Sequence, residues 1–100
     1  MDSPTGFRVT AAQSNGAVVV RVEGDLDLEG APRLRATLEG LDPPIVLDCA
    51  NLEFLDSTGI AVLVEARRRF GDGFVIRNIR EQQRRVVELV GLHGFFGIEE

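Results

Sequence analysis

The fold of this chain follows from one stretch, residues 45–70, which reads IVLDCANLEFLDSTGIAVLVEARRRF. It begins with three consecutive apolar residues, 45–47, and such a short apolar run is typical of a strand buried on both faces. An apolar segment from about residue 57 to 70, followed by Gly71-Asp72-Gly73, predicts a helix. A buried strand that leads into an apolar helix indicates a parallel crossover in an α/β fold.

A β-hairpin is predicted near the N-terminus. Residues 7–11 alternate between apolar and polar side chains, which predicts a strand with one exposed face. The dipeptide Asn15-Gly16 is a strong signal for a tight hairpin turn. A second, more apolar strand is expected over residues 17–22, with the hairpin ending at Gly24.

A first helix is predicted between the hairpin and the buried strand. It follows a short acidic loop, residues 25–29, and Pro32 fits its first turn, where a missing N–H costs little. Pro43-Pro44 ends it. Its apolar stripe comprises Leu34, Leu38 and Leu41.

The C-terminal third predicts a fourth strand over residues 74–76 and a third helix over about 81–90, ending at Gly91. The order is therefore β-β-α-β-α-β-α with an optional final β, a mixed sheet with packed helices and right-handed crossovers. We expect one domain over residues 1–100, with its core at about 7–98. The residues expected to face inward near the end are Val86, Leu89, Val90, Phe95, Phe96 and Ile98.

Composition excludes several classes of function. The chain has 100 residues, 44% of them apolar, and a formal net charge of −5, which argues against a nucleic-acid surface. The basic cluster Arg67, Arg68 and Arg69 is expected to offset the negative end of the second helix. The single cysteine, Cys49, excludes a disulfide framework and is expected to be buried. With no membrane span or signal peptide, we expect a cytoplasmic protein that does not bind membranes.

The segment 54–60, FLDSTGI, lies where the buried strand meets the second helix. Its Asp, Ser and Thr side chains suit a helix N-cap, and this structural interpretation accounts for them on local physics alone. The same groups also suit a helix start that carries a phosphate. A phosphoryl group on Ser57 would add roughly −1.5 to −2 charges beside Asp56 and would repel a partner with facing carboxylates.

No metal site, cofactor or catalytic residue is expected. Asp25, Asp27 and Glu29 have the spacing of a calcium loop, but the position that requires a bidentate Glu is Ala36. Asp27 is therefore either a solvated loop carboxylate or part of a docking surface. Asp56-Ser57-Thr58-Gly59 has one residue too many for an aspartic-protease turn, and two such turns would be needed.

The remaining catalytic signals are weak. The only histidine, His93, follows a helix and is expected to hydrogen-bond a carbonyl rather than act as a base. The sequence contains neither a Gly-x-Ser-x-Gly motif nor a glycine-rich phosphate loop. We therefore do not expect an enzyme.

Five segments in this order resemble the STAS pattern of anti-sigma factor antagonists. They are residues 24–28 (GDLDL), 31–32 (AP), 46–48 (VLD), 54–60 (FLDSTGI) and 89–92 (LVGL), so that the resemblance covers about residues 7–98. The sequence departs from the pattern at Asp25, where Glu is frequent, and at Thr58, where Ser or Ala is frequent. The last helix of longer members is expected to be absent.

The resemblance implies a phosphorylation switch. Ser57 would be phosphorylated by a serine kinase that is also the anti-sigma factor, and a serine phosphatase would remove the phosphate. The unphosphorylated form would bind the kinase and release the sigma factor. The residues expected to bind the partner are Asp27, Leu28, Asp56, Ser57, Thr58, Gly59 and Ile60.

Two alternatives remain beside this hypothesis. One is a STAS adaptor that is never phosphorylated and regulates an ATPase in a transport or stress complex. The other is a small hydrolase or nucleotide-binding protein, which no motif supports. Phosphorylation of Ser57 separates the first two, and we expect a monomer or weak dimer.

Overall fold

The computed structural model describes residues 6–92 and 94–99. Its five strands lie in the order β1-β2-β3-β4-β5, with β1 antiparallel to β2 and the later pairs parallel. This confirms the predicted α/β order, including the optional final strand. The elements are β1 (Arg8–Ser14), β2 (Ala17–Leu26), α1 (Gly30–Glu39), β3 (Ile45–Leu55), α2 (Ser57–Phe70), a 3-10 turn (Gly71–Gly73), β4 (Phe74–Arg77), α3 (Glu81–Leu89) and β5 (Gly97–Glu99).

The hairpin turn has the predicted conformation. Asn15 and Gly16 have φ angles of 53° and 83°. Two successive positive φ values are the requirement of the tight turn that Asn-Gly favours, because its twist matches that of the flanking strands.

The two central strands are longer than predicted. β2 continues to Leu26 instead of ending at residue 22, and β3 continues to Leu55 instead of ending at residue 47. They pair along this whole length, with register shifts between Arg21 and Glu23 and between Gly24 and Asp25. The predicted ends were wrong because the polar residues of these segments are typical of a loop. In the structure, each strand provides hydrogen-bond partners for the backbone groups of the other, so both segments remain extended.

The core lies on one face of the sheet. Residues paired across β2, β3 and β4 place their buried side chains on this face, and α1, α2 and α3 contribute to the same cluster. The opposite face carries ion pairs between Arg21 and Asp48 (3.4 Å) and between Arg77 and Glu99 (3.0 Å). The buried strand residues on the core face are Val18, Val20, Val22, Ile45, Leu47, Phe74 and Ile76.

The orientation predicted for α3 was correct for Val86, which packs against the core, and wrong for the other two residues. Leu89 and Val90, expected to face inward, are 81% and 52% exposed, whereas Gln83 and Val87 are buried. Gln83 Nε2 donates to the backbone oxygen of Glu53 (2.9 Å), so a polar residue occupies the face that meets β3. Helical spacing of four relates the two buried positions, and apolarity alone did not identify that face.

The predicted end of α1 needs a small correction, whereas the burial predicted for the residues near the C-terminus is confirmed. α1 ends at Glu39, so Leu41 lies beyond the helix, although it packs against the core. Phe96 is buried and Phe95 and Ile98 are partly buried against the core, as predicted.

Arg67 does more than offset the end of α2. Its guanidinium donates to the backbone oxygens of Phe95 (3.1 Å), Gly71 (2.9 Å) and Phe74 (2.7 Å). A single side chain therefore joins α2, β4 and the segment before β5.

Cys49 is buried in β3, as predicted, and burial raises the pKa of its thiol to about 12. We expect iodoacetamide to modify it slowly at about pH 8 in the native protein and rapidly in guanidinium chloride, because only the thiolate reacts. Mass spectrometry over time measures both rates. Equal rates in the native and denatured protein would contradict this burial.

None of the helices within residues 6–92 and 94–99 has the length and apolar character needed to cross a membrane. His93, expected to bond a carbonyl, lies outside the described residues.

Candidate functional site

Asp56 is the N-cap of α2, as local physics predicts. Its backbone is extended, and its Oδ1 accepts hydrogen bonds from the Gly59 N–H (3.0 Å) and from Thr58 Oγ1 (2.5 Å). Partial burial tends to raise the pKa of Asp56, but the Thr58 hydroxyl and nearby backbone N–H groups outweigh it and lower that pKa. The carboxylate is therefore a fixed negative charge at the start of the helix.

Ser57 is the first residue of α2 and is exposed. Within the described part of the chain, its hydroxyl has no hydrogen-bond partner, whereas Thr58 donates to Asp56 and is only partly exposed. The two adjacent hydroxyls therefore differ: one is free to meet another molecule and one is held.

The end of β2 lies directly against the start of α2. The backbone N–H of Asp56 donates to the backbone oxygen of Leu26 (3.4 Å). A Cβ atom on Gly59 would lie 2.5 Å from that same oxygen, so only glycine permits this approach. This contact brings the loop after β2, which begins at Asp27, next to Asp56 and Ser57.

Asp27 organises the start of α1. Its Oδ1 accepts from the backbone N–H groups of Glu29 and Gly30, both at 3.1 Å, and its backbone oxygen accepts from Ala31 (2.8 Å). The carboxylate thus has a local structural role and remains partly exposed. Leu28 beside it is 71% exposed.

The predicted site residues divide into two groups. Asp27, Leu28, Asp56, Ser57 and Thr58 are at least partly exposed and lie at the carboxyl edge of the central strands. The other two predicted residues are buried: Gly59 contacts Leu26, and Ile60 belongs to the core cluster.

Sequence interpretation missed one residue near this edge. Phe54, at the end of β3, is 50% exposed and pairs with Asp25 of β2. In the sequence, Phe54 stands at the start of the segment FLDSTGI, and nothing in that segment singles it out as exposed. The nearby register shift between Gly24 and Asp25 changes which strand positions face outward, and no sequence pattern indicated that shift.

The described residues contain no group of three or more His, Cys, Asp or Glu side chains arranged to hold a metal ion. Of the three acidic residues whose spacing resembles that of a calcium loop, Asp25 lies within β2, and Asp27 and Glu29 lie between β2 and α1.

Comparison with known proteins identifies the family. The sequence model of the family described as "Mlab, STAS domain" matches residues 9–99. The chain belongs to the STAS domain family. This STAS domain is similar to the anti-sigma-F factor antagonist RsfB of Mycobacterium tuberculosis, with 32% identity over 104 residues that cover 96% of this chain and 84% of RsfB.

Solved STAS structures show the same fold. The crystal structure of an anti-sigma factor antagonist from Mycobacterium paratuberculosis superposes with a TM-score of 0.86 at 28% identity, covering 98% of this chain and 89% of the other. The Bacillus cell fate determinant SpoIIAA, solved in its phosphorylated form, gives a TM-score of 0.67 at 22% identity, covering 94% and 91%. The likeness to SpoIIAA shows the shared fold alone.

Proposed function

We propose that this STAS domain is an anti-sigma factor antagonist whose binding is switched off by phosphorylation of Ser57. The observation that carries the proposal is the exposed hydroxyl of Ser57, without a partner among the described residues, next to the fixed carboxylate of Asp56. The names of RsfB and of the mycobacterial structure support the same function.

The partner we propose is an anti-sigma factor that is also a serine kinase. In the transfer, the Ser57 oxygen attacks the γ-phosphorus of ATP, the bond to the bridging β–γ oxygen breaks, and ADP leaves. The hydroxyl proton passes to a base of the kinase. This STAS domain is then the substrate of the reaction, and a serine phosphatase resets it.

Charge is the physical basis of the switch. A phosphoryl group adds roughly −1.5 to −2 charges at the first turn of α2, next to the carboxylate of Asp56. The positive end of the helix favours an anion there, so the fold is not expected to melt. A partner surface that accommodates the neutral hydroxyl and one carboxylate would then meet two adjacent anions.

The proposed docking surface consists of Asp27, Leu28, Asp56, Ser57 and Thr58. Leu28 supplies exposed apolar area, and the three polar neighbours of Ser57 supply charge and hydrogen bonds. Gly59 and Ile60 are buried and contribute indirectly, because they fix the position of the start of α2. Because sigma factors act with RNA polymerase, we place the protein in the cytoplasm.

The alternative is an adaptor that regulates an ATPase without being phosphorylated. The family description, which names Mlab, favours it. In that case Ser57 would only occupy the first position of α2. Adding ATP would then leave partner binding unchanged, both in the wild type and in a variant that lacks Ser57.

Two substitutions of Ser57, by residues that match each other in size but differ in charge, test the switch. We expect Ser57→Asp to weaken binding to the anti-sigma factor by at least about tenfold, since juxtaposed like charges cost several kcal/mol. Ser57→Asn, which adds a similar volume without charge, should retain most of the affinity. Isothermal titration measures both.

Thermal melting is the control for these variants. Both should melt within about 3 °C of the wild type, because surface substitutions usually change stability by less than about 0.5 kcal/mol. Equal affinity of the Asp and Asn variants would contradict a charge-based switch. A large fall in melting temperature would show instead that residue 57 is structural.

A further inference from the structure

Two hydroxyls, those of Ser57 and Thr58, lie side by side in the first turn of α2, and a kinase that reaches one comes close to the other. Their environments differ. Thr58 Oγ1 donates to Asp56 Oδ1 at 2.5 Å, the short distance of a charge-assisted O–H···O⁻ bond. The same Asp56 oxygen accepts the Gly59 N–H, which fixes the carboxylate in place.

We propose that the hydrogen bond between Asp56 and Thr58 restricts phosphorylation to Ser57, an inference that rests on the proposed modification of Ser57. Asp56 acts here as a positioning residue that withholds one of two candidate acceptors. The structure thereby gives the helix cap a second role, in the specificity of the modification.

Transfer to Thr58 is opposed at each stage. The hydrogen bond holds Thr58 Oγ1 directly against the carboxylate of Asp56, and Thr58 is only partly exposed, so the phosphoryl group must approach within contact distance of a fixed negative charge. The attack would then bring the anionic phosphates of ATP against the ionised side chain of Asp56. The product would hold a phosphate and a carboxylate where a 2.5 Å contact now exists. Ser57 Oγ is exposed and makes no hydrogen bond to Asp56 within the described residues, so a phosphoryl group can reach it without displacing that contact.

The test is the distribution of phosphate in Asp56→Gly. Glycine is tolerated at N-cap positions with a loss of only a few tenths of a kcal/mol, so helix α2 is expected to form. After incubation with the kinase and ATP, fragment mass spectrometry should show phosphate on Thr58 at a share at least about tenfold above that in the wild type, the factor that a hydrogen bond to a charged group supplies.

A second background isolates Thr58. Ser57→Ala should receive no phosphate, whereas Ser57→Ala combined with Asp56→Gly should receive it on Thr58. Adding Thr58→Val to that pair should abolish it again. Because fragment mapping assigns the phosphate to a single hydroxyl, this comparison distinguishes a change of acceptor from a general gain or loss of phosphorylation.

The outcomes are distinct. Phosphate on Ser57 alone in Asp56→Gly, or on Thr58 in Ser57→Ala, would overturn this inference and leave the Ser57 switch intact. Loss of phosphate from both hydroxyls in Asp56→Gly would also overturn it, because the part that Asp56 plays in docking would then outweigh any restraint on Thr58. A wild-type protein that receives no phosphate would overturn the proposed function and the inference with it.

A measurement without the kinase tests the contact. Thr58→Val removes the hydroxyl that lowers the pKa of Asp56, so the carboxyl carbon of Asp56 should titrate at higher pH by NMR. Thr58→Ser, which keeps the donor, should titrate as the wild type does. An unchanged titration in Thr58→Val would show that the hydrogen bond is absent in solution.

Discussion

Gly59→Val is expected to lower the melting temperature by about 10 °C. A Cβ atom at this position would lie 2.5 Å from the backbone oxygen of Leu26, 2.8 Å from its Cγ and 2.9 Å from Leu55 Cδ1. The oxygen cannot withdraw easily, because it accepts the backbone N–H of Asp56. Overpacking a core costs about 1–3 kcal/mol, and valine presents further atoms to the same crowded wall.

A matched control lies two positions further along the helix. Ala61→Val introduces the same side chain on the exposed face of α2 and should shift the melting temperature by only a few degrees, about 0.5 kcal/mol of helix propensity. Differential scanning calorimetry compares the two variants. If the two variants have the same melting temperature, the close contact between α2 and β2 is absent.

The structure also changes the meaning of this substitution. From the sequence alone, Gly59→Val is expected to block docking by crowding the start of the second helix. The crowding is instead on the inside, where the helix start meets the sheet. Any loss of partner binding in Gly59→Val therefore follows from displacement of Asp56 and Ser57.

Arg67→Ala is expected to destabilise the protein by about 3 kcal/mol, the second large effect. The substitution leaves the backbone oxygens of Phe95, Gly71 and Phe74 without this donor. The Arg67 side chain is only 18% exposed, so water replaces those bonds poorly. The segment before β5 should open first, because Arg67 fastens it to α2.

Urea unfolding measures this effect, and two further variants define it. Arg68→Ala removes an exposed arginine from the same turn and should change stability by less than about 0.5 kcal/mol. Arg67→Lys keeps the charge but lacks the planar fork, so it should recover only part of the loss. Equal urea midpoints for Arg67→Ala and Arg68→Ala would show that Arg67 contributes only a positive charge at the end of the helix.

Local signals in the sequence were sufficient for much of the fold. The Asn15-Gly16 turn and the apolar run at residues 45–47 depend on neighbouring residues, and both predictions were confirmed. The lengths of β2 and β3 depend on each other, since polar residues such as Asp48 and Asn51 lie in strand only where the partner strand runs alongside. No local pattern carries that information.

The candidate site shows the same division. Asp56 as N-cap follows from residue type and position, and the structure confirms it. The contact of Thr58 with Asp56 and the burial of Gly59 against Leu26 depend on side-chain rotamers and on how closely a helix approaches a strand far away in sequence. The exposure of Leu89 likewise depends on which face of α3 meets the sheet, and here a polar residue, Gln83, occupies the inner position.

The most direct test of the central claim is ATP-driven release of the anti-sigma factor from its complex with this protein. The serine kinase encoded nearest in the genome is the first partner to use, with intact mass and fragment mapping after ATP is added. The account predicts one phosphate on Ser57 and dissociation of the wild-type complex, while the Ser57→Ala complex persists with ATP. A wild-type complex that stays bound to an ATPase with no phosphate on Ser57 would contradict the switch and favour the adaptor.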